Sequence, residues 1–293
     1  MNCSPTPASV GIMYATANRI LEMKKEELHI TLYQQDIAWE DPDANYMMVE
    51  KAFEGVGESD ILVVPETFST GFGDHMARQA EKPGGRTFDF AVEIARKHEA
   101  LFAGTWTVCE NGVVYNRLHL VRPDGSCDTY DKGHTFRMSS EASQIARGSR
   151  RIISSWRGWS IFPAVCYDLR FPLWLRNSPN LDYDLLLVCA NWPGSRYEAW
   201  STLLKARAIE NLAYVVGCNR QGCDSTGINY AGCSAIVDYK GKALAELPPQ
   251  NRAADDDSKP LDGNSQLLSA TLSAAKLSTF REHWPFNLDF DNT

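Results

Sequence analysis

The fold of this chain is decided by residues 160–172, which read Ser160-Ile161-Phe162-Pro163-Ala164-Val165-Cys166-Tyr167-Asp168-Leu169-Arg170-Phe171-Pro172. The apolar run predicts a strand that stops at Cys166, and the polar residues after it predict a turn before a short helix near residues 173–176. A nucleophile needs this placement, because a strand holds its backbone rigidly and a turn lifts its side chain out of the sheet. A lone cysteine is more often a small core residue, so the interpretation depends on the rest of the chain.

The composition predicts a globular protein with a sizeable core. The 293 residues are 44% hydrophobic and 23% charged, which suits one large α/β domain as well as two smaller ones. The net charge is −8, with 29 Lys and Arg against 37 Asp and Glu, and this argues against a nucleic-acid partner, which requires a basic surface. No apolar run reaches the roughly 18 residues of a transmembrane helix, so we expect no membrane partner.

The cysteines and histidines argue against disulfides and metal sites. None of the eight cysteines is spaced as C-x-x-C, and the six histidines are scattered without a ligand spacing. Cysteines without such spacing are typical of proteins in a reducing compartment, and the N-terminus lacks a secretory signal pattern, so we expect a cytoplasmic location. Because no ligand spacing is present, we expect no metal. Cys189 and Cys218 lie in apolar strands and are predicted to be core residues. Dinucleotide and NTP motifs are also missing, so we expect no cofactor.

The predicted elements follow the same order in both halves of the chain. Each half gives a strand, a helix, a strand, a helix and then a pair of strands, and residues 61–64 and 184–190 are buried strands. This order predicts an α/β fold with two sheets packed face to face and helices outside, a four-layer α-β-β-α sandwich. Composition alone does not distinguish it from an open doubly wound sheet.

We expect one domain over residues 28–285. Residues 1–27 mix Ser, Pro, Thr and Ala and are predicted to form a poorly ordered N-terminal extension, with Met23 as an alternative start. Residues 286–293 are predicted to be a C-terminal tail, and the Asp-rich stretch 252–264 a solvated loop.

Three apolar segments end at polar groups that together can carry out acyl transfer. Glu66 follows residues 61–65, Lys132 lies in Tyr-Asp-Lys-Gly-His-Thr-Phe, and Cys166 follows residues 161–165. If the strands share one direction in a sheet, these ends lie together. The thiol must lose its proton to attack, a carboxylate can take that proton, and an ammonium can face the oxyanion of the tetrahedral intermediate.

The three segments resemble the motifs of the nitrilase superfamily of carbon-nitrogen hydrolases, in the family's order. They are residues 64–68, 131–136 and 164–172, and the resemblance covers about residues 28–285. It implies the sandwich fold, Glu66 as general base, Lys132 as oxyanion stabiliser and proton donor, and Cys166 as nucleophile. It also implies a homodimer, in which residues 284–291 reach a neighbouring subunit.

A second glutamate is common in this family between the lysine and the cysteine. Glu141 stands nine residues after Lys132, and the resemblance implies that it orients the lysine and the substrate. The alternative is a solvated loop carboxylate.

Within the superfamily, the chain is most similar to the omega-amidases, which hydrolyse the terminal amide of 2-oxoglutaramate and 2-oxosuccinamate. The similarity lies in residues 137–141, 183–184, 190–193, 205–211 and 217–220. Two features depart from the family. Gly133 stands where a larger residue is common, and the stretch 252–264 resembles an insertion.

Three further residues, Phe72, Arg170 and Trp192, are predicted to contact the substrate. Arg170 either binds a substrate carboxylate or pairs with a carboxylate such as Asp168, and Trp192 either forms the floor of the pocket or packs at its rim. His134 is predicted to hydrogen-bond the lysine loop rather than to serve Cys166, because a lysine and a glutamate already supply the acid-base chemistry.

Three functions are open at this point. The first is an amidase for a small-molecule amide, which acts through a Cys166 thioester. The second is an N-carbamoyl amine hydrolase or a nitrilase with the same chemistry, since the shape of the pocket is not readable from the sequence. The third is a non-catalytic binding member of the family. A papain-like protease is disfavoured, because its cysteine signature is missing.

Overall fold

The computed structural model describes residues 23–178, 181–250 and 266–289. The greater part of the predicted N-terminal extension, the whole Asp-rich stretch 252–264 and the last residues of the predicted tail lie outside the described residues. Within those ranges, no helix is both long and apolar enough to cross a bilayer.

The secondary structure alternates between strands and helices in both halves of the chain. The first half contributes β1 (Glu27–Gln34), α1 (Pro42–Glu54), β2 (Ile61–Val63), α2 (Arg86–His98), β3 (Leu101–Glu110), β4 (Val113–Val121) and β5 (Cys127–Asp131). The second half contributes α3 (Glu141–Gln144), β6 (Ser154–Trp156), β7 (Trp159–Val165), α4 (Pro172–Leu175), β8 (Leu185–Ala190), α5 (Tyr197–Asn211), β9 (Tyr214–Asn219), β10 (Gln221–Cys223), β11 (Asn229–Ala231), β12 (Ala235–Val237), β13 (Ala243–Glu246), β14 (Gln266–Ser273) and α6 (Ala274–His283). Short 3-10 helices span Cys166–Arg170, Gly194–Arg196 and Phe286–Asp289.

Two six-stranded mixed sheets form the centre of the fold. Their strand orders are β14-β1-β2-β3-β4-β5 and β13-β12-β9-β8-β7-β6. Three strands run parallel in each sheet, β1-β2-β3 in the first and β7-β8-β9 in the second, and antiparallel strands extend the sheet on both sides. β10 and β11 form a separate ribbon.

The central strands are buried on both faces, which explains their unbroken apolar sequences. Ile61 and Val63 of β2 share one core with Leu185 and Leu187 of β8, between the two sheets. Alternate residues point to the outer faces, where α1 and α2 cover the first sheet and α5 covers the second. The predicted four-layer α-β-β-α sandwich is therefore confirmed.

Local sequence signals set the ends of several elements. The Asp41 side chain accepts a hydrogen bond from the backbone N–H of Ala44 at 3.0 Å and so caps α1, which ends at Gly55. Asn111 and Gly112 both have positive φ, 52° and 78°, and close the β3-β4 hairpin. This backbone conformation explains why the Asn-Gly pair predicts the turn.

Residues 24–27, assigned above to the extension, belong to the fold. The Nζ of Lys24 lies 2.7 Å from Asp184 Oδ2, the Nζ of Lys25 lies 2.9 Å from Asp60 Oδ1, and β1 begins at Glu27. Both aspartates are buried, so each ion pair compensates a carboxylate that would otherwise be costly to bury. The predicted boundary at residue 28 is too late, because a short charged segment does not reveal its distant partners.

Asp60 and Asp184 make the same backbone contacts in the two halves of the chain. The Asp60 carboxylate accepts from the N–H of His29 at 2.8 Å, and the Asp184 carboxylate accepts from the N–H of Ser160 at 3.0 Å. In return, the N–H of each aspartate donates to the carbonyl of the same partner, at 2.7 and 2.9 Å. Each aspartate thus fixes one parallel strand pair, β1-β2 or β7-β8, at its amino end.

Gly133, one of the two departures from the family pattern, lies against the indole of Trp174. A Cβ at position 133 would come within 2.7 Å of that ring. The Trp174 Nε1–H donates to the Tyr130 hydroxyl at 2.8 Å, and the Gly133 N–H donates to the same oxygen at 3.2 Å. The indole therefore fills the space that a side chain at 133 would need.

We predict that Gly133→Ala lowers the free energy of unfolding by about 1–3 kcal/mol, because the added methyl group overlaps an indole that its hydrogen bond holds in place. Urea unfolding followed by circular dichroism measures the change. The matched control is Gly57→Ala, because a Cβ at position 57 would have nothing within 4 Å, and its effect should stay within about 0.5 kcal/mol. Equal stability of the two variants would contradict the prediction.

Candidate active site

Glu66, Lys132 and Cys166 come from two different sheets. Glu66 follows β2 and Lys132 follows β5, and these two strands run in the same direction in the first sheet. Cys166 follows β7 in the second sheet. The three side chains are thus brought together as predicted, but across the space between two facing sheets and not along the edge of one.

Lys132 lies between two buried carboxylates. Its Nζ donates to Glu66 Oε1 at 2.7 Å and to both oxygens of Glu141 at 2.9 and 3.0 Å. Glu66 and Lys132 are fully buried, and Glu141 is 2% exposed. The alternative interpretation of Glu141 as a solvated loop carboxylate is therefore wrong, and its contact with the lysine agrees with an orienting role.

Amide groups supply the remaining hydrogen bonds to these carboxylates. The Asn116 Nδ2–H₂ group donates to Glu66 Oε1 at 2.8 Å and to Glu141 Oε1 at 3.2 Å. The backbone N–H of Asn191 donates to Glu66 Oε2 at 2.8 Å, and that of Phe136 donates to Glu141 Oε2 at 2.6 Å. The role of Asn116 was not predicted. It is a single amide in the middle of β4, next to Arg117, and nothing in the local sequence marks it.

Cys166 has a backbone conformation that few residues other than glycine adopt. Its φ is +43°, at the point where β7 ends and a 3-10 helix begins. Such left-handed geometry in a non-glycine residue costs on the order of 1–3 kcal/mol and is concentrated at functional sites. The Asp168 carboxylate accepts from the N–H of Val165 at 3.1 Å and closes this turn.

Asp168 joins the cysteine turn to the lysine loop. It accepts hydrogen bonds from the Tyr130 hydroxyl at 2.8 Å and from the backbone N–H and Nδ1 of His134 at 2.9 and 2.8 Å. His134 was expected to hydrogen-bond the lysine loop. It bonds instead to Asp168 in the cysteine turn. The alternative in which Arg170 pairs with Asp168 is wrong, since these donors and the N–H of Val165 occupy the carboxylate.

Burial and the neighbouring charges determine whether Cys166 and Lys132 carry a proton. Burial raises the pKa of the Cys166 thiol well above its ordinary value, the Glu66 carboxylate adds to the effect, and the Lys132 ammonium offsets it only in part. Burial alone would lower the pKa of Lys132, but the Glu141 and Glu66 carboxylates outweigh it and raise that pKa. The site at rest therefore holds a neutral thiol beside a charged ammonium.

A cavity of about 430 Å³ opens onto these groups. Cys166 and Lys132 line it together with the three predicted substrate-contacting residues, Phe72, Arg170 and Trp192. The ring of Phe72 lies 5.3 Å from Lys132 Nζ, and Trp192 lies under the Arg170 guanidinium at 4.8 Å.

Trp192 lines the cavity and also packs against Trp200 at a ring-centroid distance of 5.6 Å, with 3% of the residue exposed. The two other predicted core positions, Cys189 and Cys218, are fully buried as expected. In the part of the chain that the structure describes, no group of three or more His, Cys, Asp or Glu side chains could hold a metal ion.

The sequence of this chain is similar to those of known carbon-nitrogen hydrolases. A sequence model of the carbon-nitrogen hydrolase family matches residues 29–257. The chain is 41% identical over 264 residues to omega-amidase YafV of Yersinia enterocolitica, which covers 90% of this chain and 97% of that protein. It is 32% identical over 221 residues to a 2-oxoglutaramate amidase of Bacillus subtilis, with 74% and 85% covered.

A solved structure shows the same architecture. XC1258 from Xanthomonas campestris, a carbon-nitrogen hydrolase superfamily protein with an arsenic adduct in its active site, superposes with a TM-score of 0.84 at 38% sequence identity. The match covers 92% of this chain and 99% of that one.

We predict that the Cys166 thiol stays protonated at neutral pH. The difference in thiolate ultraviolet absorbance between the wild type and Cys166→Ser should be absent at pH 7 and should develop only above the ordinary thiol pKa of 9.0. Glu66→Gln should move this titration to lower pH, because it removes a charge that raises the pKa. The other thiols cancel in the difference. A thiolate signal already complete at pH 7 would contradict the prediction.

Proposed function

The chain belongs to the carbon-nitrogen hydrolase family, and from this premise we propose that it hydrolyses the terminal amide of a small dicarboxylic acid monoamide, such as 2-oxoglutaramate or 2-oxosuccinamate. It is a hydrolase of carbon-nitrogen bonds other than peptide bonds. The observation that carries the proposal is the buried Lys132 between Glu66 and Glu141 at the base of a cavity that Cys166 also lines.

In the first half of the proposed reaction, Glu66 takes the proton of the Cys166 thiol as the sulfur attacks the amide carbon. The raised pKa of the thiol supports this concerted step, since little free thiolate exists beforehand. The oxyanion that forms faces the Lys132 ammonium and the backbone N–H of Tyr167. Glu66 then returns the proton to the nitrogen, ammonia leaves, and a thioester remains.

In the second half, Glu66 takes a proton from water, which attacks the thioester carbon. The second tetrahedral intermediate uses the same oxyanion contacts, and its collapse releases the acid and the Cys166 sulfur, which recovers its proton from Glu66. In this proposal Lys132 stabilises the oxyanion and keeps its charge throughout, because the two carboxylates raise its pKa. Glu66, and not Lys132 as the family resemblance implies, is then the proton donor. Glu141 holds the ammonium in place, and a single lysine then serves both steps.

The substrate carboxylate is proposed to meet Arg170, whose guanidinium lies over Trp192 at the cavity wall. Phe72 and Trp192 provide flat apolar surfaces for the carbon chain of the substrate. The curated relatives named as an omega-amidase and a 2-oxoglutaramate amidase support this choice of substrate class.

A homodimer and a cytoplasmic location complete the proposal. Trp284, Phe286 and Leu288 are 48%, 51% and 78% exposed, and burial of such an apolar segment by a second copy is favourable. The seven described cysteines are all free thiols, which suits a reducing compartment. Sedimentation velocity of the full chain tests the dimer, and a single monomeric species would contradict it.

We predict ammonium release from 2-oxoglutaramate, with activity lost in Cys166→Ala and reduced by about 10²- to 10⁴-fold in Glu66→Gln, the range expected for loss of a general base. An enzymatic ammonium assay measures both effects. The matched control is Cys223→Ser, which removes an exposed thiol and should leave the rate unchanged.

Three outcomes would overturn the proposal. Unchanged activity in Cys166→Ala excludes the thioester route. A panel of substrates that also contains an N-carbamoyl amine and a nitrile tests the alternatives. Hydrolysis of only these two compounds identifies the second function. No hydrolysis of any compound on the panel identifies a non-catalytic member.

A further inference from the structure

Two arginines at the cavity wall have no acidic partner. Of the four Lys and Arg side chains that line the cavity, Lys132 is bound by its two carboxylates and Arg78 is bound by Glu40 at 2.5 and 2.6 Å. Arg170 and Arg196 are exposed, and within the described residues neither has a carboxylate at ion-pair distance. The cavity therefore offers two guanidinium groups that are free to bind an anion.

Each of the two guanidinium groups lies over an aromatic ring. The Cζ of Arg170 lies 4.8 Å from the ring centroid of Trp192, and the Cζ of Arg196 lies 5.2 Å from that of Phe136. Stacking restricts the orientation of an exposed arginine and leaves its N–H edge free for paired hydrogen bonds to a carboxylate.

The two rings are tied to the carboxylates of the active site through the backbone. Trp192 directly follows Asn191, whose N–H donates to Glu66, and the N–H of Phe136 itself donates to Glu141. The Trp192 Nε1–H also donates to the backbone carbonyl of Arg196 at 2.9 Å. These links connect the rings over which both arginines lie to the carboxylates of the site.

The acidic residues at the cavity wall do not neutralise this pair. Glu40 is occupied by Arg78 and Gln79. Asp224 accepts hydrogen bonds from its own loop, from Thr226, Ile228 and Tyr230. The third lining acid, Asp74, is exposed to solvent and makes no ion pair within the described residues. An anion in the cavity thus meets more uncommitted positive than negative groups, although the chain as a whole is acidic.

We propose that Arg196 is a specificity-determining residue, which forms with Arg170 a two-arginine clamp for the carboxylate end of the substrate. This inference rests on the proposed function and deepens it. A 2-oxo acid presents three acceptor oxygens, two on the carboxylate and one on the neighbouring carbonyl, and two guanidinium forks supply donors for all of them. The clamp selects carboxylate-bearing amides over neutral ones.

The test compares 2-oxoglutaramate with pentanamide, a neutral amide of the same chain length. In Arg196→Gln we expect KM for 2-oxoglutaramate to rise by about 10- to 100-fold, the range for loss of a charge-assisted pair. We expect kcat for that substrate and kcat/KM for pentanamide to stay within about twofold. Arg196→Lys should restore only part of the affinity, because lysine lacks the planar fork.

The matched control is Arg151→Gln. Arg151 is also stacked on an indole, with its Cζ 5.9 Å from the Trp174 ring, and it lies outside the cavity lining. This variant makes the same change of charge and should alter neither substrate's kinetics. In the wild type, added salt should raise KM for 2-oxoglutaramate and leave that for pentanamide unchanged, since screening weakens charge attraction.

Three outcomes separate the two proposals. If Arg196→Gln affects both substrates equally, or neither, or if salt does not discriminate between them in the wild type, the clamp is wrong while the amidase stands. If the wild type hydrolyses pentanamide but no dicarboxylic monoamide, the proposed substrate class is wrong. If it hydrolyses neither, the proposed function itself fails.

Discussion

The active site depends on one interaction, the contact of a single buried ammonium with two buried carboxylates. Lys132, Glu66 and Glu141 come from three separate segments, the ends of β5 and β2 and the start of α3. Desolvation of charges is expensive, and removal of one partner leaves another charge uncompensated. The contact therefore requires that all three segments be in place at once, and the amide donors of Asn116 and Phe136 complete its hydrogen bonding.

Polar contacts also align the second sheet with the first. Asn191, at the end of β8, donates to Glu66, while Asp168 in the cysteine turn receives Tyr130 and His134 from the lysine loop. An apolar core between two sheets is non-directional and alone would tolerate small shifts. These directional bonds remove that freedom and hold the cysteine turn, with its left-handed backbone at Cys166, against the lysine loop.

The residues at the strand ends were predictable from the sequence, because apolar runs that stop at Glu66 and Cys166 have a local signature. The sandwich followed from the order of the elements together with the family resemblance, since composition alone did not distinguish it from an open sheet. Residues that become neighbours only in the folded structure have no such local signature. Asn116 is one polar residue within a long strand, and Arg196 is one of many basic residues, so nothing local separates them from ordinary positions. The contacts that bring Glu66 and Cys166 together across the two sheets were also hidden, since the sequence does not show how facing sheets are aligned.

The matching contacts of Asp60 and Asp184 give the two sheets the same arrangement at one end and different arrangements at the other. In each sheet an aspartate bonds the central parallel strand to its neighbour at the amino end. At the carboxyl end of these strands the sheets differ: the first presents the Glu66 carboxylate, and the second presents Asn191, whose backbone N–H donates to it. The like ends hold neighbouring strands together, and the unlike ends bring a carboxylate and its donor into one site.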